Sequence, residues 1–140
     1  MNFNIKMKKQ RIILIVEDEP IVKIVEERFS KKGFIVDVAR DGVEAIERVH
    51  RLKPDLILLD ILLPRMNGFK FLEVIRDDPG LNDVPVVIFS NLGNSYDFEK
   101  LKEFNVIDYI IKANVTIHEL VERVSGYLKN GENKSNIKKC

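Results

Sequence analysis

Glu17, Asp18, Asp60, Ser90 and Lys112 share one feature of placement: each stands at or next to the first position after a short apolar run. Three acids, a small hydroxyl and a lysine have a definite use if the chain brings them together. Carboxylates crowded within a few ångströms repel one another and raise one another's pKa unless a cation lies among them. A hard divalent ion with oxygen ligands, Mg²⁺ or Mn²⁺, suits a few carboxylates that leave room for water. Lys112 would add a fixed positive charge and Ser90 a hydroxyl donor. The combination makes a site for a phosphoryl group, and a carboxylate is a known covalent acceptor. Such transfer needs mainly positioning and neutralisation of charge on the equatorial oxygens.

The runs that carry these residues read as buried strands. Ile12 to Val16 is apolar throughout and β-branched at four positions, and Leu56 to Leu59 shows no polar alternation, as in a parallel sheet covered on both faces. Phe34–Val38, Val84–Phe89 and Val106–Ile111 complete a set of five. Between them lie helical periods. The first carries Ile21, Val22, Ile24, Val25 and Phe29 and closes at Lys31-Lys32-Gly33, with Gly in the C′ role. The second begins at Asp41-Gly42, with the apolar positions Val43, Ile46, Val49 and Leu52 three apart. The third runs from about Asn67 with Phe69, Phe71, Leu72, Val74 and Ile75. A weaker pattern covers Tyr96–Phe104. The last starts near Thr116 with Ile117, Leu120, Val121, Val124 and Leu128, and Thr116 with Glu119 has capping-box spacing. Five strand–helix units with short loops predict a parallel sheet with helices on both faces. All strand C-termini then lie on one edge, where open α/β sheets bind ligands, and the five polar residues converge there.

Composition narrows the class. The 140 residues suffice for one domain with a core, and 45% apolar with 32% charged residues is globular usage. No run approaches a membrane span, and the basic N-terminus lacks the apolar stretch of a signal peptide, so neither membrane insertion nor export is expected. The one cysteine, Cys140, permits no internal disulfide and fits a reducing cytoplasm. His50 and His118 have no cysteine nearby, so zinc is not expected. The net charge of +1 divides unevenly: residues 12–129 hold sixteen bases and twenty-one acids, a net of −5. An acidic body argues against nucleic-acid binding through this domain. Residues 1–10 read as a basic extension and 130–140 as a polar basic tail, flanking a domain at 11–129.

With these residues in view, the chain resembles the receiver domain of response regulators in two-component signalling. The resemblance covers about residues 11–129 and implies a flavodoxin-like (βα)5 three-layer sandwich with strand order 2-1-3-4-5. In that family an acidic pair follows the first strand, here Glu17-Asp18. The phosphoacceptor follows the third, here Asp60 with the Leu-Pro-Arg-Met-Asn-Gly turn behind it. A Ser or Thr follows the fourth, here Ser90, and a Lys the fifth, here Lys112. The resemblance implies that Asp18 and Asp60 bind Mg²⁺ or Mn²⁺ directly, Glu17 through water, and the Leu62 backbone carbonyl completes the set. It implies phosphorylation by a sensor histidine kinase or histidine phosphotransfer protein. Ser90 and Tyr109 would then switch a partner-binding face made by the fourth helix, fifth strand and fifth helix.

Three positions depart from the pattern. Glu17 replaces the commoner Asp, Ala113 follows the lysine where Pro with a cis bond is usual, and Asn91 stands where a small residue is usual. Leu62 and Leu92, each two beyond a site residue, are expected to shield an acyl phosphate from water. Two other readings use the same residues. A receiver-like docking module would bind partners without phosphorylation. A phosphatase of the haloacid-dehalogenase type would need an acid two residues after its nucleophile, where this chain has Leu62. A flavodoxin proper is disfavoured by the acidic loop after the first strand, which would repel a flavin phosphate.

Overall fold

Apolar runs without alternation need cover on both faces, and the central strands receive it. The computed structural model describes residues 10–91 and 95–129. Its strands are β1 (Ile12–Val16), β2 (Ile35–Ala39), β3 (Leu56–Leu59), β4 (Val86–Ser90) and β5 (Asp108–Ile111). Its helices are α1 (Ile21–Lys31), α2 (Gly42–Leu52), α3 (Gly68–Arg76), α4 (Ser95–Lys102) and α5 (Ile117–Lys129). All strand pairs are parallel, in the order β2-β1-β3-β4-β5. This is the flavodoxin-like order that the resemblance implied. Alternate side chains of β1, β3 and β4 feed two cores. Leu14, Val16, Ile57, Leu59, Val86 and Ile88 pack with α2, α3 and Leu101 of α4. Ile13, Ile15, Leu56, Leu58, Val87 and Phe89 pack with α1 and α5.

Local chemistry sets the ends of the elements. Gly33, at φ 100°, follows α1 in the left-handed conformation that only glycine adopts freely, and its N–H donates to the Ser30 carbonyl. Asp41 and Asn67 cap α2 and α3 by accepting the N–H groups of Glu44 and Lys70. The capping box before α5 is reciprocal: Glu119 N–H donates to Thr116 Oγ1 at 3.0 Å, and Thr116 N–H to Glu119 Oε1 at 2.8 Å.

Some boundaries move. β2 begins one residue later than predicted, because Phe34 packs edge-on against Phe29 and donates its N–H to the Phe29 carbonyl. β4 begins at Val86 because Val84 N–H is taken by the Leu81 carbonyl in a turn and Pro85 has no N–H to give. The ladder of β5 against β4 starts at Asp108, though Val106 and Ile107 are buried ahead of it. Of the apolar positions of α2, Val49 is buried, Ile46 and Leu52 pack partly buried against the core, and Val43 is 46% exposed; the small Gly42 and Ala45 are buried beside them.

Far from the strand C-termini, His50 joins α2 to the turn after α3. Its Nδ1 lies 2.9 Å from the Ile46 carbonyl and its Nε2 2.8 Å from Asp78 Oδ2. Both neighbours only accept, so both ring nitrogens donate and the imidazolium is favoured. The Ile46 carbonyl and then Asp78 raise the His50 pKa, and the hydrogen bond from His50 lowers that of Asp78. The raised histidine contributes stability below its unfolded value, lost as pH rises through its folded one; the depressed carboxyl contributes above its unfolded value, lost as pH falls. The stabilisation is therefore complete between the unfolded value of the aspartate and that of the histidine, and falls away outside that window. An NMR titration should place the His50 midpoint above the ordinary histidine value, and Asp78→Asn should lower it. An unchanged midpoint in the variant would remove Asp78 from the account.

Candidate functional site

The strand order sets the site before any side chain is considered. β1 and β3 are neighbours, β4 follows, and the residues after each emerge side by side at one edge. Glu17 N–H donates to the Ala39 carbonyl and Asp60 N–H to the Val16 carbonyl, so the ladder fixes both backbones. Glu17 is 3% exposed, Asp60 4% and Ser90 fully buried. Lys112 leaves the end of β5 and passes over β4, its Nζ 5.6 Å from the centre of the Phe89 ring.

Asp60 is held at both oxygens. Oδ1 accepts from Ser90 Oγ at 2.8 Å and from Leu62 N–H at 3.0 Å, and Oδ2 lies 2.9 Å from Lys112 Nζ. The same ammonium contacts Glu17 at 3.0 Å and Glu19 Oε1 at 2.8 Å. Glu19 N–H in turn donates to Glu17 Oε2 at 3.1 Å. Burial, reinforced by repulsion from Asp60, pushes the Glu17 carboxyl up to about 7, against the lowering effect of Lys112 and the Glu19 N–H. Burial opposes the charge on Lys112, but hydrogen bonds to Glu19, Asp60 and Glu17 outweigh it and push its pKa above the ordinary lysine value. One cation thus faces three carboxylates, a site short of positive charge.

Of the residues singled out from sequence, Glu17, Asp60, Ser90 and Lys112 meet in one contact network. Asp18 does not join it: its side chain is exposed, and the carboxylates whose oxygens lie within 4.8 Å of one another are Glu17, Glu19 and Asp60. Sequence reasoning passed over Glu19, though three consecutive acids after β1 were the available signal. Tyr109 is half-buried against the core under α3 and α4, in register with Ile88 two residues before Ser90. Asn91 accepts the Ala113 N–H at 3.0 Å and so ties the end of β4 to the 3-10 turn Lys112–Asn114, where every peptide bond is trans. Leu62 is 59% exposed, and Leu92 lies outside the described residues.

Behind Asp60 the chain turns tightly. Gly68 N–H donates to the Ile61 carbonyl at 2.9 Å, and a Cβ on Gly68 would stand 2.7 Å from Ile61 Cα and 3.1 Å from the Asp60 carbonyl oxygen. Backbone cannot yield as a side chain can. Gly68→Ala should therefore lower stability by about 1–3 kcal/mol, as overpacking does, read as a fall in thermal midpoint; an unchanged midpoint would mean the loop relaxes freely.

The donor set fits a hard divalent ion. Three carboxylates offer oxygens within 4.8 Å, one is buried and raised in pKa by its surroundings, and no soft sulfur or imidazole ligand stands among them.

A family model for the response regulator receiver domain matches residues 13–125, and the chain belongs to that family. Over 127 residues it is 34% identical to a probable transcriptional regulator ycf27 of Guillardia theta, covering 90% of this chain and 48% of the relative. It is similar to the crystal structure of the phosphorylated cyanobacterial phytochrome response regulator RcpA, with TM-score 0.73, 30% identity, 84% of this chain and 91% of that one. The Mn²⁺-bound form of response regulator Rcp1 matches with TM-score 0.70 and 28% identity, covering 84% and 91%. The chain spans about half or less of the length of the curated relatives it matches. Receiver domains are signalling phosphoacceptors rather than turnover enzymes, and an acidic pocket such as this one is where they take Mg²⁺ or Mn²⁺. Among the described residues no helix is long and apolar enough to cross a membrane.

Proposed function

We propose that Asp60 accepts a phosphoryl group from a phosphohistidine on a sensor histidine kinase or histidine phosphotransfer protein. The observation that carries this reading is the state of Asp60: a buried carboxylate aimed by Ser90 Oγ and the Leu62 N–H, with Lys112 at 2.9 Å. An Asp60 oxygen attacks phosphorus, an O–P bond forms, the P–N bond breaks, and the imidazole leaves with the electron pair and takes up a proton. Lys112 neutralises charge on the oxygens in flight. Asp60, the Leu62 carbonyl and, through water, Glu17 would hold a divalent ion, with the exposed Asp18 side chain turning in to join them; when bound, the ion supplies further positive charge. Glu19 remains as a partner for Lys112.

The new group adds roughly −1.5 to −2 charge. Ser90, now bonded to Asp60, would turn its hydroxyl to the phosphoryl oxygen, and Tyr109 on the neighbouring strand would move inward, remodelling the α4–β5–α5 face for a downstream protein. In this reading the receiver occupies 11–129, between the basic stretch 1–10 and the polar stretch 130–140, and it works in the cytoplasm.

The test is intact mass after incubation with acetyl phosphate, with and without Mg²⁺, followed by peptide mapping. The expected result is one phosphoryl group, gained only with metal, on the peptide containing Asp60. No gain under any condition, or a gain mapped elsewhere, would overturn the reading.

A further inference from the structure

The backbone after Asp60 aims its carboxylate, through the Leu62 N–H on Oδ1 at 3.0 Å. Something must hold that loop. Part of the restraint is internal, the Gly68 N–H on the Ile61 carbonyl. The middle of the loop is gripped from outside, by the start of α2. Arg65 has φ 64°, a left-handed conformation unfavourable for a residue with a Cβ. In that conformation its Nε donates to Asp41 Oδ2 at 3.0 Å, and a terminal nitrogen reaches Asp41 Oδ1 at 3.4 Å. Asp41 is already in use, since Oδ1 accepts the Glu44 N–H at 2.8 Å as the cap of α2. The Glu44 N–H and then Arg65 hold the Asp41 carboxyl below the usual carboxylate range, so it stays ionised.

The adjoining pair closes the same seam. A Cβ on Gly42 would lie 2.3 Å from the Met66 carbonyl oxygen and 2.6 Å from Met66 Cβ, so the two loops meet with no side chain between them. An ion pair whose arginine is 60% exposed adds little to global stability. Any effect is local, on the loop that carries Arg65.

We propose that Asp41 and Arg65 form a positioning clasp, which holds the loop after β3 so that the Leu62 backbone is correctly placed for Asp60 and for a divalent ion. The inference rests on Asp60 being the phosphoacceptor beside that ion. Neither clasp residue touches reacting atoms; both act through the loop.

Three variants of the full chain test it. Arg65→Asn keeps a residue that tolerates the left-handed backbone but is too short to reach Asp41. Asp41→Ser keeps a capping oxygen on α2 and loses the grip on Arg65. The third is the double variant. Mn²⁺ binding is read by electron paramagnetic resonance of the free ion, and amide exchange of residues 61–68 is read without metal. Each single variant should bind Mn²⁺ about three- to tenfold more weakly, at or below the low end for outer-shell partners. The Gly68 amide should exchange faster, and the thermal midpoint should move by only a few degrees. The double variant should be no worse than either single one, because the pair acts as a unit. Wild-type binding with unchanged affinity in the variants would overturn the clasp alone. So would an additive double variant, or a loss of affinity matched by a large fall in midpoint. A wild-type protein that binds no Mn²⁺ would overturn the metal-site reading and the clasp's role with it.

Discussion

Asp60→Asn protein should gain no phosphoryl group from acetyl phosphate at any Mg²⁺ concentration, while folding as the wild type does. The amide oxygen lacks the charge that makes the carboxylate a nucleophile, so chemistry stops at its first bond. The fold should not notice. The amide oxygen of the variant can still accept from Ser90 and from the Leu62 N–H, which now hold Asp60 at 2.8 and 3.0 Å. Lys112 keeps Glu17 and Glu19 as partners. One of three crowded carboxylates is gone, so repulsion falls while one ionic contact to Lys112 is lost. These opposed effects should leave stability within about 1 kcal/mol of wild type. Intact mass and a denaturant melt check both halves. A metal-dependent gain of mass in the variant would mean that another side chain is the acceptor. A collapse in stability would mean that Asp60 serves the core, and that its burial says nothing of chemistry.

How much of this was legible in the sequence depends on what kind of contact each part needs. β3 and Asp60 could be read directly, because a buried strand is an unbroken apolar run and the acid that ends it has one place to go. The meeting of Glu17, Ser90 and Lys112 with Asp60 followed from topology, which asks only that strand ends share an edge; the order of the strands came from the family resemblance. Choice among adjacent residues did not follow. That Lys112 would take Glu19 rather than Asp18 depends on how the chain turns after Val16, and neighbouring acids look alike in a list. Val43 is one of the apolar positions that mark α2 yet lies exposed, while Gly42 and Ala45, which a count of large apolar residues passes over, are buried. Asn91 looked like an intruder beside the site; its bond to the Ala113 N–H shows that it braces the loop where a proline is absent. Arg76, which donates to the carbonyls of Asn82, Val84 and Phe104, gave no sign at all. Backbone acceptors carry no residue type and leave no motif.

Lys112 should prove the most demanding position after Asp60. Lys112→Ala should slow phosphoryl uptake from acetyl phosphate by about 10²–10³-fold, the loss typical when one preorganised donor is removed from developing oxygen charge. Lys112→Arg should not restore it. The ammonium is a compact donor standing 2.8–3.0 Å from three carboxylates, with its side chain 8% exposed. A planar guanidinium is larger and points its donors along fixed lines, so it cannot occupy that position without displacing Asp60. The alanine variant also carries a stability signature in metal-free buffer. Without the lysine, Glu17 and Asp60 stay buried with no cation, and removing one partner of a buried pair costs on the order of 3–5 kcal/mol. Protonation of Glu17 relieves much of that. Its folded pKa is already about 7 against an ordinary 4.5, and losing Lys112 removes a lowering influence and raises it further. A carboxyl raised in the folded state contributes stability that is present below its unfolded value and lost as pH rises through its folded one. The deficit of Lys112→Ala relative to wild type should therefore be small near pH 5 and grow toward pH 8. Urea melts of both proteins at the two pH values measure it. A deficit independent of pH would show that the packing of the lysine side chain matters more than its charge, and uptake of phosphoryl groups at the wild-type rate would remove Lys112 from the chemistry.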